Sequence, residues 1–292
     1  MKKLLALLLT VVVIFSFTAC GFDLPFADGN SKKSAKDEGG KKDLDVVAID
    51  NSECTVKITG IEFDNKQGYT LKVYLENKSS DKKYMFAVDS ASLNGIQCST
   101  YFASSVAAGK KSNNKISFSA SAIEESGLKP ADYTDIELTF RVYDYNNWFT
   151  DDVAYETVNV YPHGKDKATK YTLPAQQGKV LVDNQYARVV AVGYYSSKTS
   201  GYAILVYFEN KTDKTLMFSI DDASVNDYMA DPFFAHSVKS QKCSFAKVTW
   251  SSSNLESIGV TDVKSVEFKL RAYNYNDWMA DDLINVVIKL NS

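Results

Sequence analysis

The chain has 292 residues, 24% of them charged, and a formal net charge of −3, which is length enough for two domains that each bury a core. It has no basic footprint for nucleic acid: Lys far outnumbers Arg, which occurs only as Arg141, Arg188 and Arg271. An aromatic share of 13%, with 18 Tyr, suits a β-rich protein with Tyr on its sheet faces.

Residues 1–20 begin with Lys2 and Lys3, continue as an apolar run from Leu4 to about Phe17, and end Thr18-Ala19-Cys20. A charged start, a short apolar stretch and small residues before the cut predict a secretory signal rather than a membrane span. Phe17-Thr18-Ala19-Cys20-Gly21 resembles a bacterial lipobox, with Phe17 in place of the usual Leu. That resemblance implies lipidation of Cys20 and a lipid-anchored protein on the extracytoplasmic face of the cell membrane. Residues 21–44, low in apolar side chains and rich in Lys, Asp, Gly and Ser, read as a hydrated tether.

An internal repeat follows. Asp50-Asn51 matches Asp183-Asn184, YLENK at 74–78 matches YFENK at 207–211, and RVYDYNNWFTDD at 141–152 matches RAYNYNDWMADD at 271–282. The domains are placed at 45–162 and 177–292, with 163–176 as a short polar linker. Within each, the dominant period is two. Leu71, Val73 and Leu75 alternate with Lys72, Tyr74 and Glu76; Ile204, Val206 and Phe208 take the matching inward places. Ile136, Leu138, Phe140 and Val142 alternate with Glu137, Thr139, Arg141 and Tyr143, as Val266, Phe268, Leu270 and Ala272 do with Glu267, Lys269, Arg271 and Tyr273. Such alternation predicts half-buried strands. One capped helical turn is expected per copy, at Ser121-x-x-Glu124 closed by Gly127 and at Ser253-x-x-Glu256 closed by Gly259. Seven or eight strands per copy without βαβ alternation predict an all-β chain of two tandem antiparallel β-sandwiches.

The lipobox, the tether, the LxVYxEN strand, the capped turn and the ExxxRxYxYNxW hairpin together resemble the immunoglobulin-like modules of uncharacterised lipoproteins from low-GC Gram-positive bacteria, here as two tandem repeats. The resemblance implies fold and location and carries over no active site.

Candidate site residues cluster at the hairpin tips. Trp148 and Trp278, with Tyr143, Tyr273, Arg141 and Arg271, are the residues that could contact a ligand. Asp144, Asp151 and Asp152 in one tip, and Asp277, Asp281 and Asp282 in the other, offer oxygens for calcium, although Asp and Asn are also what tight turns prefer and no EF-hand spacing occurs. If the strands carrying Tyr74 and Arg141 share a sheet, they form a polar-aromatic face, repeated by Tyr207 and Arg271. Asn77-Lys78-Ser79 and Asn210-Lys211-Thr212 read as strand-ending turns. Cys54 and Cys98 are matched by Ala187 and Ala230, a paired difference that fits either a disulfide or two small core residues. Cys243 has no evident partner.

No nucleophile–base pair or cofactor motif is present, so neither an enzyme nor a cofactor is expected. The expected function is a binding or scaffolding module, held at the membrane through acylated Cys20, for a protein or cell-envelope partner. The alternative is carbohydrate or peptidoglycan binding. Specificity is expected where the copies differ, above all at 227–236.

Overall fold

In the computed structural model, residues 41–64, 68–119, 121–147, 149–232, 234–277 and 279–291 are described. The expected signal segment, Cys20 and the expected tether up to residue 40 lie outside the described residues, as do Trp148 and Trp278. Among the described residues, no helix is long and apolar enough to cross a membrane.

The first copy contributes nine strands: β1 (Lys41–Asp50), β2 (Cys54–Asp64), β3 (Gly68–Asn77), β4 (Tyr84–Leu93), β5 (Ile96–Cys98), β6 (Ala103–Val106), β7 (Lys111–Ser117), β8 (Ile136–Asp144) and β9 (Ala154–Val160). The second repeats them in order: β10 (Lys179–Asp183), β11 (Ala187–Ser197), β12 (Gly201–Asn210), β13 (Leu216–Val225), β14 (Tyr228–Met229), β15 (Ala235–Val238), β16 (Cys243–Trp250), β17 (Ser265–Asn274) and β18 (Ile284–Asn291). Short helices α1 (Ser121–Glu124) and α2 (Ser252–Ser257) occupy the same place in each copy. The count exceeds the seven or eight expected because β5, β6, β14 and β15 are too short to show alternation. β1 also begins inside the expected tether, at Lys41, which pairs with Glu62 in register and by an ion pair of 3.1 Å.

Alternation becomes burial. Leu71, Val73, Leu75, Ile136, Leu138, Phe140 and Val142 are buried in one core, and Ile204, Val206, Phe208, Val266, Phe268, Leu270 and Ala272 in another. Each core draws on both the β2–β3 or β11–β12 hairpin and the β4–β8 or β13–β17 pair, as sheets facing one another must. Gly127 and Gly259 close the helices at φ 75° and 72°, conformations that glycine adopts without steric cost. The cap of α2 falls earlier than expected: Ser251, not Ser253, accepts from the Asn254 N–H, because Trp250 ends the strand buried and the chain turns at once.

The sheets are not confined to single copies. β1-β2-β3-β7 form a four-stranded sheet, and β13, β14, β15, β17 and β18 a five-stranded one. The remaining nine strands make one sheet, β10-β11-β12-β16-β5-β4-β8-β9 with β6 beside β4. The two copies meet where β16 runs parallel to β5, with Cys243 opposite Ile96 and the Cys243 N–H donating to Gly95 O at 3.0 Å. Val190, Leu205, Tyr207 and Phe245, on the outer face of β11, β12 and β16, bury against Ile96 and Leu173.

At the matching positions the first copy has Lys57, Lys72, Tyr74 and Asn113, all on a sheet face without such a cover. Tyr207 is therefore not on an outward face; it is 1% exposed, with Phe245 at 5.3 Å and Tyr171 at 6.2 Å between ring centroids. The expected polar linker is anchored as well. Leu173 is buried, the Tyr171 N–H donates to Asn94 O at 2.7 Å, and the Thr169 N–H donates to the Thr134 hydroxyl at 3.0 Å.

Cys54, Cys98 and Cys243 are all buried free thiols, which overturns a Cys54–Cys98 bridge. Cys54 pairs with Asn77, whose side-chain amide donates to Val106 O, and Val106 lies opposite Tyr84 at the start of β4. Cys98 lies opposite Ala91, seven residues further along β4. At strand rise that is about 23 Å, far beyond the ~7 Å between Cα atoms that a disulfide tolerates. Burial pushes the thiols up, Cys54 to about 11 and Cys98 and Cys243 to about 12, so few are thiolate near neutrality.

A thiol reagent applied to the Cys20→Ala chain is expected to react with all three thiols in denaturant and with almost none in the native state. Fewer than three in denaturant without reductant would restore the bridge. Leu205→Lys, which installs the first copy's residue in the joint, is expected to lower stability by about 2–4 kcal/mol in urea unfolding. The converse Lys72→Leu should change it by less than about 0.5 kcal/mol.

Candidate functional site

The twin tips are built by the strands that carry them. Arg141 on β8 donates from Nε to Asp152 at 2.8 Å. Arg271 on β17 holds both oxygens of Asp282, at 2.8 and 3.0 Å, and reaches Asp221 at 2.9 Å. Charge-assisted bonds of this kind, single at Arg141 and forked at Arg271, fix the loop that follows, and Arg271 holds the Asp282 carboxyl below the usual carboxylate range. The guanidinium carbons of Arg141 and Arg271 also lie 4.7 and 5.5 Å from the ring centroids of Tyr143 and Tyr273.

Asp144 accepts from the Asn146 N–H at 2.9 Å, the Asx turn such a loop favours. Of the calcium candidates, Asp144, Asp152 and Asp282 thus serve the backbone or an arginine, and Asp151, Asp277 and Asp281 are exposed. Among the described residues, no group of three or more His, Cys, Asp or Glu is placed to hold a metal ion. Beyond the clamps, Phe149 and Met279 occupy the same position in each copy and are 80% and 76% exposed, beside half-exposed Tyr145 and Tyr275.

The expected face uniting Tyr74 with Arg141 does not form, because β3 belongs to the four-stranded sheet and β8 to the nine-stranded one. The Asn-Lys-Ser/Thr turns are structural. Asn77 donates to Lys82 O and Val106 O and accepts from the Ser79 N–H; Asn210 does the same with Lys214 O, Val238 O and the Thr212 N–H. Lys78 and Lys211 tie these corners to Asp50 and Asp183 at 2.7 and 2.6 Å.

A second site, missed in the sequence, lies beside the joint between the copies. A cleft of about 260 Å³ is lined by Ser90, Ala91, Ser92, Gln97, Glu137, Thr139, Tyr155 and Thr157 from the first copy and Thr215, Lys239, Ser240 and Lys242 from the second. On its floor Ser90 Oγ donates to Thr139 Oγ1 at 3.0 Å, and Thr139 and Thr157 share a bond of 2.9 Å. Gln97 bridges the copies, donating to Ser237 O at 3.0 Å and accepting from the Lys239 N–H at 2.9 Å.

The charges around the cleft pair off. Lys242 meets Glu137 at 2.8 Å and Lys239 meets Asp89 at 3.3 Å. Tyr155 donates to Asp89 at 2.8 Å, and partial burial, reinforced by that bond to a carboxylate, pushes its phenol up to about 12. The signal was in the alignment: on the outward positions of β4, β8 and β9, the first copy has Ser90, Thr139, Tyr155 and Thr157 where the second has Asp222, Lys269, Asn285 and Val287.

His236, within the stretch expected to differ, does not reach this cleft. Its ring lies 5.6 Å from Phe208 and 6.3 Å from Phe234, and Nε2 is buried without a hydrogen-bond partner among the described residues.

No family model matches the chain, and no curated protein matches it. Among solved structures, the YadV chaperone is similar at 13% identity over 76% of this chain and 92% of its own, with a TM-score of 0.23. A red sea bream transglutaminase aligns at 8% identity over 87% of this chain and 31% of its own, with a TM-score of 0.23. The exo-chitosanase CsxA of Amycolatopsis orientalis aligns at 11% identity over 80% and 26%, with a TM-score of 0.22. At these scores the likenesses carry no argument about fold or activity.

Burial pushes the pKa of His236 below its ordinary 6.5. The unfolded chain therefore binds a proton there before the folded one does, and stability is lost as pH falls below about 6.5. Tm measured from pH 7.5 down to 5 is expected to fall more steeply for the natural chain than for His236→Ser, which carries the first copy's residue.

Proposed function

We propose that the protein is a lipid-anchored, extracytoplasmic binding or scaffolding module made of two tandem immunoglobulin-like β-sandwiches. The anchoring part rests on the signal segment and the lipobox at Cys20. The immunoglobulin-like part is supported by the two-fold recurrence of a four-stranded and a five-stranded antiparallel set around each core. The observation that carries the binding role is the pair of tips: in both copies an arginine–aspartate clamp holds a loop whose apolar residue, Phe149 or Met279, stands largely in solvent. Large apolar side chains held out on a fixed scaffold suit partner recognition. The joint between the copies, at β16 and β5, holds the two modules that carry the tips in one sheet.

A photo-crosslinking amino acid at Phe149 or Met279 in intact cells is expected to capture one envelope protein from both positions. With the crosslinker moved to the half-exposed neighbours Tyr145 or Tyr275, Phe149→Asp with Met279→Asp should abolish capture without changing Tm by more than about 2 °C. Capture of no protein, together with saturable binding to purified cell wall, would replace this reading with glycan binding at the tips.

A further inference from the structure

We propose that the cleft beside the joint binds a short, neutral saccharide. The chemistry of its lining selects the ligand class. Seven of its twelve lining residues carry hydroxyls, and each hydroxyl can both donate and accept, as a sugar hydroxyl does. The floor row of Ser90, Thr139 and Thr157 uses only part of that capacity on itself, leaving lone pairs for an incoming polyol.

Charge decides against an ionic ligand. The two lysines that face the cleft are matched by Glu137 and Asp89, so the site offers neither an unpaired cation nor an unpaired anion. Tyr155 is 51% exposed, with its hydroxyl fixed on Asp89. That leaves an amphipathic ring at the wall, to which the C–H face of a pyranose can be laid. Gln97 is held by the second copy's backbone at both ends of its amide, which keeps the wall in place.

The hydroxyl row is not something the strands require. In the second copy the same positions carry Asp222, Lys269 and Val287, and Asp222 and Lys269 simply pair at 2.7 Å. The row occurs in the copy whose sheet face is walled by its neighbour. This site is separate from the tips and does not depend on what they bind.

The test uses the Cys20→Ser chain, amide NMR and calorimetry, with cellotriose, maltotriose, mannotriose and triacetylchitotriose as neutral probes and inorganic phosphate and glucuronate as charged ones. At least one neutral trisaccharide is expected to bind saturably with Kd of about 0.1–5 mM. Its shifts should centre on Gln97, Thr139 and Thr157. Thr157→Val, which copies the second repeat and suits a strand, should weaken binding about tenfold, and Tyr155→Ala by at least as much. The proposal fails if no neutral probe binds by about 50 mM. It also fails if only phosphate or glucuronate binds, or if binding maps to the tips and survives Thr157→Val in a variant with an unchanged amide spectrum.

Discussion

The outer face of β11, β12 and β16 carries Val190, Leu205, Tyr207 and Phe245, and these side chains cannot be left in water without losing about 1.5–3 kcal/mol each. Most of the molecule's architecture follows from how that face is covered. Strand β5 of the first copy supplies the edge and Ile96, and the segment between the copies supplies Tyr171 and Leu173. Ion pairs Lys239–Asp89, Lys242–Glu137 and Lys247–Glu125 fringe the contact. Rim pairs of this kind, partly exposed, add little energy but fix register. Because the two edges join into one sheet, the cleft has two walls.

Polar residues common to both copies serve the backbone. Asn51 and Asn184 each accept two main-chain N–H bonds at the start of a strand. Asn94 and Asn226, both at φ 50°, each accept two such bonds and donate to a carbonyl. Buried or turning main chain needs these partners wherever the fold is built, so duplication preserves them. Outward positions are released from that demand, and there the copies diverge: lysines against apolar residues on one sheet, hydroxyls against charges on the other. The arginine clamps fall between these cases. Arg271 holds two aspartates, whereas in the first copy the equivalent Asp89 is drawn to Tyr155 and Lys239.

Much of this was legible in the residues. Period-two alternation located the long strands and their inward faces, and Gly127 and Gly259 marked the helix ends. What the alternation could not reveal was a second burial. Leu205 and Tyr207 occupy the outward phase of β12, and only the non-local pairing of β16 with β5 turns that phase into an interior. The cleft was hidden for the same reason, since its two walls lie in different copies. Of the two cysteine readings the bridge fails on distance and the pair of small core residues remains: a matched loss of Cys54 and Cys98 says that two small residues changed together, not that they touch. The tips were legible as loops, and their clamping by Arg141 and Arg271 was not, because a strand arginine gives no hint of which aspartate it will reach.

The joint is head-to-tail: a β5-type edge meets a β16-type edge, and no symmetry returns the contact to its start. Such contacts have no geometric end and, left unchecked, build filaments. The remaining β16-type edge here is β7, on the face bearing Lys57, Lys72, Lys111 and Asn113 where β16's own face has Val190, Leu205, Cys243 and Phe245. Covering it would strip water from several ammonium groups at once, which costs more than the strand pairing returns. The face that in the second copy is apolar and covered is in the first copy rich in lysine and wet, so the same pairing is not favoured there a second time.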